Sequence, residues 1–504
     1  MLKLVQVKEG VKLADYDLYA PLASPLRELY TESTTLIPKI KGKKIWMINS
    51  TQHGGGVAEM MPRMISLFRQ LGVDCDWLVA TTERKGFFSF TKKIHNLIHS
   101  EGIPEIAKEE KELYEIVNKE NAEVLKSFVK PGDVVIIHDP QPLAIGYFLK
   151  EDNIPVHLIW RCHIGHDKHT DQTRAAWNFL KPYAQVYSYS VFSATEYIPG
   201  FLTGKARIIH PSIDPLDHKN RDLPIYKTVG ILCNSKLLTE YQPVLTPTFP
   251  DTVKRLQSDG TFQSALLPSD MGLLFKPAII QISRWDRLKG FLELMKGFVY
   301  MKQNKNRLKI SERDLRQTEL CQLVLAGPDP EYVEDDPEGM EVINELKNEF
   351  LALPRELQAS IAILKLPMKS RKHNELIVNV LQRVATLIVQ NSIREGFGLT
   401  VTEAMWKIKA VIGTATCGIH EQLRDGIDGL LIKDPKNIEE VAVKLHYALA
   451  YPKERDVWQY NAQKRVIEQF LIFTQIRKWL SVISEINSKI TTQYLHNLKS
   501  TSSS

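Results

Sequence analysis

Short apolar runs alternate with amphipathic segments along this chain, and the alternation occurs twice. The first series comprises Lys44–Asn49 (KIWMIN), Cys75–Ala80, Val134–His138, Val156–Trp160 and Val186–Ser190. The second comprises Ala278–Ser283 (AIIQIS), Gln322–Ala326, Ile361–Leu366, Ala385–Gln390 (ATLIVQ), Ala410–Gly413 and Gly429–Ile432. Runs with no polar alternation suit strands buried on both faces. The segments between them keep a helical period. After Lys44–Asn49 the apolar residues fall at 57, 60, 61, 64, 67, 68 and 71, and Gly72 ends that helix. Strands alternating with helices call for a parallel sheet covered on both faces. The sequence thus predicts an α/β protein with two doubly wound, Rossmann-like domains facing across a cleft.

Boundaries follow from where the alternation starts and stops. Residues 1–43, with Pro21, Pro25 and Pro38, read as an N-terminal extension packed on the main body. The first domain is expected over 44–216 and the second over 277–457. Between them, 217–276 is broken by prolines at 224, 243, 247, 250 and 268 and reads as a connecting segment with a few short helices. A helical segment over 458–490 is expected to pack back on the first domain, and 491–504 is a polar tail with a disordered end.

Composition narrows the function. Hydrophobic residues are 43% and charged residues 25% of 504, so a large core needs no disulfide or metal to hold it. A net charge of +6 over this length suits anionic small molecules; with no long basic block it does not indicate nucleic acid. Cys75, Cys162, Cys233, Cys321 and Cys417 are an odd, scattered set without a C-x-x-C pair, which favours reduced thiols and a cytoplasmic location. No run is long enough to span a bilayer, so no membrane role is expected.

In open α/β sheets ligands bind outside the carboxyl ends of the strands, and reactive side chains collect at those positions here. Gly54, Gly55 and Gly56 follow the first run and precede a helix, where the backbone can approach a ligand; such a triplet is also common in ordinary tight turns. Asp139 follows the run Val134–His138, and Arg161 and His163 follow Val156–Trp160. In the second series, AIIQIS leads into Arg284-Trp285-Asp286-Arg287-Leu288-Lys289-Gly290. That puts two cations beside a helix start, an arrangement suited to phosphate or diphosphate. After ATLIVQ comes SIREGFGLTVTEAMW, with Glu395 and Glu403 eight residues apart. The Gly396-Phe397-Gly398-Leu399 stretch between them can expose backbone N–H groups to a phosphate, while the two carboxylates can accept from sugar and ribose hydroxyls.

These blocks resemble the retaining glycosyltransferases of the GT-B fold, glycosyltransferase family four, and within it the trehalose synthase (glycosyltransferring) and retaining trehalose phosphorylase group. The resemblance rests on NSTQHGGGVAEMMPR (Asn49–Arg63), HDPQP (His138–Pro142), WRCHI (Trp160–Ile164), PSIDPL (Pro211–Leu216), SRWDRLKG (Ser283–Gly290), AGPDPEYVEDDPEG (Ala326–Gly339), LPM (Leu366–Met368) and SIREGFGLTVTEAMWK (Ser392–Lys407). It implies that Glu395 holds the donor glucose and Glu403 a donor ribose. Arg284 and Lys289 would hold the donor phosphate or diphosphate, helped by the Gly396–Leu399 backbone, and Gly327 and Leu366 would line a nucleoside pocket with Glu403. His163 would touch the transferring glucose near its 6-hydroxyl. Gly54, Gly55, Gly56, Asp139 and Arg161 would serve the acceptor. The extension, residues 217–276 and Leu308–Glu319 depart from compact members in length, and Gly165-His166-Asp167 has no firm counterpart.

The resemblance implies transfer of glucose with retention between a nucleotide-diphosphate glucose and glucose, giving α,α-trehalose. The alternative is phosphorolysis of trehalose to α-glucose 1-phosphate and glucose. A third reading, a sugar-binding protein without catalysis, predicts damage to the charged set, which is intact. No Asp-x-Asp stands in a metal-binding context, so no obligatory cofactor is expected, although Mg²⁺ can arrive with a nucleotide. The expected partners are the nucleotide sugar or phosphate, glucose and trehalose, with room for a homodimer.

Overall fold

The computed structural model describes residues 1–8, 10–52, 56–240, 248–309, 311–332 and 337–501, with backbone only at 337 and 487–501. It divides into two compact units, Met1–Ser212 with Gln469–Ser504, and Ile213–Glu468. No described helix is long and apolar enough to cross a membrane.

The first unit holds β1 (Lys3–Val5), β2 (Ile45–Asn49), β3 (Cys75–Val79), β4 (Val134–His138), β5 (His157–Cys162), β6 (Tyr189–Phe192) and β7 (Ala206–Ile208). Their order in the sheet is β1-β3-β2-β4-β5-β6-β7. All neighbours are parallel except β1, which runs antiparallel to β3 with Lys3 opposite Val79. From β2 the chain goes to β3 on one side and then to β4 on the other. The connection therefore reverses direction between β2 and β4, the place where an open sheet leaves a crevice. Every residue of β2 and β4 is buried, as their unbroken apolar sequences require.

The ends of the chain complete this unit. The extension supplies edge strand β1 and the helix Ala23–Leu36, which packs on the helix Ile472–Thr501. Tyr16 meets Phe473 edge to face at 4.9 Å, and Arg477 pairs with both Glu28 and Glu32. The expected return segment 458–490 is thus divided. The helix Pro452–Gln469 belongs to the second unit, where Trp458 joins the core, and only the chain from Gln469 onward belongs to the first. The backbone of the last helix continues to Thr501, through most of the segment expected as a polar tail.

The second unit holds β8 (Lys254–Leu256), β9 (Phe262–Ser264), β10 (Ala278–Ile282), β11 (Gln322–Pro328), β12 (Ile361–Leu366), β13 (Leu387–Gln390), β14 (Ala410–Thr414) and β15 (Leu430–Ile432). Their order is β15-β14-β13-β10-β11-β12-β8-β9, parallel from β15 to β12. The reversal here falls between β10 and β13. Residues 217–276 differ from the connector with short helices that the prolines suggest. Among the described residues they contain one ten-residue helix, Ile225–Asn234, and the β8–β9 hairpin that extends the sheet antiparallel to β12. Strands of three residues are too short to show a period. The turn at Asp259-Gly260, with Gly260 at φ +83°, is the local sign of the hairpin.

Candidate active site

In the second unit, the loops after β10 and β13 meet at the switch point. Lys289 Nζ donates to Glu395 Oε2 at 2.7 Å, and the two side chains keep only 14% and 11% exposure. The same carboxylate oxygen accepts from Ser392 Oγ at 3.1 Å and Gln390 Nε2 at 3.4 Å. Gln390 also donates to Ser283 Oγ at 3.0 Å, which links the ends of the two central strands. Arg284 stands exposed beside this network and takes no partner among the described residues.

Buried amides fix the loop backbones. Gln281 Nε2 donates to the Lys289 carbonyl at 2.7 Å, and Asn391 N–H donates to Gln281 Oε1 at 2.9 Å. Asn391 Nδ2 donates to the carbonyl oxygens of Gly290 and Pro435. Gly290 has φ +61°, and a Cβ there would lie 2.1 Å from the Asn391 carbonyl oxygen, so this crossing needs glycine. Trp285 is buried and donates to the Pro328 carbonyl at 2.7 Å. Gly327 lies under it, where a Cβ would come 2.6 Å from the Ser283 carbonyl oxygen and the Trp285 ring. Leu366, opposite Pro328 on β12, is buried.

Gly396 is half-buried and Phe397 buried. Gly398, at φ +81°, starts the helix Leu399–Trp406. The first N–H groups of a helix have no partner within it. Gln422 Nε2 donates to the carbonyls of Phe397 and Gly418, which holds this turn in place. Glu403 lies within the helix, 6% exposed and apart from the Lys289 network; its Oε1 is 3.7 Å from Lys219 Nζ. Behind it, Lys407 Nζ donates to the Glu403 carbonyl at 3.1 Å and to Asn220 Oδ1 at 3.2 Å. Burial pushes the Lys407 ammonium down to about 7, against the attraction of Glu403. The 218–221 segment that carries these partners is held by Asn379, which donates to the carbonyls of His218 and Arg221 at 2.9 Å.

In the first unit, Asp139, Arg161 and His163 gather where β4 and β5 end. Asp139 has φ +66°; its N–H donates to the Arg161 carbonyl at 2.7 Å, and its Oδ1 accepts from the His163 N–H at 2.9 Å. Arg161 is fully buried and donates to Ser193 Oγ at 3.2 Å. Burial pushes the Asp139 carboxyl up to about 6, opposed by the His163 N–H and by Arg161, and lowers the Arg161 guanidinium to about 10. The imidazole of His163 lies 3.1 Å from that of His138. Gly56 opens the helix Gly56–Gln70, while Gly54 and Gly55 lie outside the described residues.

Ser392, Gln390, Ser283, Lys219, Asn220, Lys407 and His138 join these sites without having been singled out from the sequence. Ser392, on the same loop, and Gln390, at the end of β13, stand three and five residues before Glu395, a local signal that was available. Lys219 meets Glu403 from far along the chain and has none.

Residues 275–465 match the family described as Glycosyl transferases group 1. The chain also superposes on the crystal structure of α,α-trehalose 6-phosphate synthase from Burkholderia multivorans with TM-score 0.64, covering 90% of this chain and 98% of that one at 13% identity. The protein is therefore a glycosyltransferase built from two Rossmann-like units, the GT-B class. Residues 47–199 match Trehalose synthase, N-terminal domain. Similarity extends to the trehalose synthase of Pyrococcus horikoshii, 32% identical over 89% of this chain and 91% of that protein. The trehalose synthase of Rubrobacter xylanophilus is 28% identical over 91% and 94%. The trehalose phosphorylase of Pleurotus sajor-caju is 27% identical over 78% of this chain but 51% of its own length. The chain belongs to the trehalose synthase family.

Proposed function

We propose that the protein transfers glucose with retention from a nucleotide-diphosphate glucose to free glucose, forming α,α-trehalose. The observation that carries this reading is the Lys289–Glu395 pair beside exposed Arg284 at the β10/β13 switch point. Two cations there suit an anionic leaving group, and the carboxylate paired with Lys289 suits sugar hydroxyls. Near full-length similarity to proteins named trehalose synthase supports the choice of sugar and acceptor.

In this reading Arg284, Lys289 and the N–H groups of Gly396–Leu399 stabilise the departing diphosphate. The C1–O bond to phosphate breaks as the acceptor hydroxyl attacks from the same face. The leaving phosphate oxygen takes the hydroxyl proton, so no second carboxylate is needed, unlike in glycosidases. Glu395 orients the glucosyl group, Glu403 accepts from the ribose, and Gly327 and Leu366 flank the nucleoside. Asp139 and His163 bind sugar hydroxyls, with buried Arg161 acting through Asp139. Arg284 and Lys289 supply the charge that a metal would otherwise bring, so the reaction proceeds in a chelator, apart from any Mg²⁺ carried by the nucleotide.

A second reading, phosphorolysis of trehalose, uses the same cations and draws on the similarity to a protein named trehalose phosphorylase. A donor screen separates the two. ADP-, UDP- and GDP-glucose are each incubated with glucose, and trehalose is incubated with phosphate. Trehalose from at least one nucleotide donor is expected. Turnover with trehalose plus phosphate alone would replace the synthase reading with the phosphorylase.

A further inference from the structure

We propose that His138 is a positioning residue that fixes His163 as the Nδ1–H tautomer, aiming a hydrogen-bond donor at the sugar. His138 ends β4 and His163 follows β5. Their ring planes are within 14° of parallel with centroids 5.4 Å apart, and the rings meet edge to edge, with His138 Nδ1 3.1 Å from His163 Nε2. One proton must lie on that line, and the two neutral rings allow two arrangements. Burial and the nearby Arg161 charge favour the neutral form of both rings.

The far nitrogens decide between the arrangements. His138 is 1% exposed, and its Nε2 is buried with no hydrogen-bond partner among the described residues. If His163 donated, His138 Nε2 would carry an N–H buried without an acceptor, a state that folded proteins rarely tolerate. If His138 Nδ1 donates, its Nε2 is a bare lone pair, and His163 carries its proton on Nδ1. His163 is only half-buried, and its Nδ1 takes no partner among the described residues. Asp139 Oδ1 meanwhile holds the His163 main-chain N–H. Adjacent residues His138 and Asp139 thus fix His163 at both ring and backbone.

The use of that donor on a sugar oxygen rests on the function proposed above; the tautomer itself does not. Long-range ¹H–¹⁵N correlation of histidine-labelled full-length protein reads the tautomer directly, with the His163 signal assigned through His163→Gln. The expected result is an Nδ1–H ring in the wild type, and an Nε2–H ring for His163 in the wild type would overturn the inference. In a folded His138→Leu variant the Nδ1–H preference should disappear, and kcat/KM should fall at least about tenfold, the worth of one well-placed hydrogen bond. His138→Asn, which can keep a donor near the Nδ1 position, should recover most of both. An unchanged His163 tautomer in His138→Leu would show that His138 does not set it. An Nδ1–H tautomer with no kinetic effect would leave the positioning intact and remove the role in sugar transfer.

Discussion

Lys289 and Glu395 are separated by 106 residues of chain, yet Nζ and Oε2 meet at 2.7 Å, with each side chain less than one-sixth exposed. The topology accounts for this. The strands β10 and β13 are neighbours at the point where the sheet reverses, and each delivers its following loop to the same end. If this pair grips the donor, Lys289→Met and Glu395→Gln should each lower kcat by at least about 10²-fold, the scale of losing one charge-stabilising contact. Arg284→Ala should do the same. Steady-state rates at saturating donor and glucose check this, and wild-type turnover in any variant would take that residue out of the mechanism.

Gly290 allows a contrast between two glycines in the same site. A Cβ at Gly290 would strike the Asn391 main chain at 2.1 Å, and φ is +61°, whereas a Cβ at Gly396 would meet nothing within 4 Å. Gly290→Ala should destabilise the protein by about 3 kcal/mol, and Gly396→Ala by no more than about 0.5 kcal/mol. Urea unfolding midpoints distinguish the two.

Lys407 links the donor helix to a pH dependence. Burial lowers it to about 7, with Glu403 pulling upward and Arg383 and Lys219 pushing downward; Lys409 is lowered to about 8 by burial and Arg383. Between pH 7 and the usual lysine range the unfolded chain binds more protons than the folded one, so stability rises with pH. Below 7 both states are protonated and the full penalty for burying the charge applies. Lys407→Met should therefore be more stable than the wild type near pH 7, with an advantage that shrinks as pH approaches about 10. Denaturant midpoints across that range test the sign, and an advantage that grew with pH would refute it.

Glu403 and Lys219 bear on the choice of donor. Their 3.7 Å pairing holds a carboxylate that is otherwise buried. Glu403→Gln should raise KM for a nucleotide sugar at least about tenfold with little change in kcat, as expected when ground-state and transition-state binding weaken together. It should leave binding of free phosphate unchanged, which competition kinetics would show.

Both sheets were legible from the sequence because their central strands are buried on two faces and therefore read as unbroken apolar runs. The same runs led to Lys289, Glu395, Asp139 and His163, since each stands just past a strand end. What stayed hidden depended on distance along the chain or on very short elements. β1, β7, β8 and β9 have three residues each and lack the unbroken apolar run that marks the equally short β15, so they were not read as strands. Lys219 lies in the supposed connector, and its partner Glu403 is on a distant helix. His138 looked like the end of an apolar strand; only its ring contact with His163 gives it a part in the site.

Titration of the nucleoside diphosphate product into the full-length protein tests the donor site most directly. The account predicts saturable binding to the wild type, with affinity reduced at least about 10²-fold in an Arg284→Ala, Lys289→Met double variant by loss of two charge-assisted contacts. Lys305→Gln, which removes a surface charge paired with Glu319 in the same unit, should bind as the wild type does. Unchanged affinity in the folded double variant would contradict the account, because the diphosphate would then be held elsewhere.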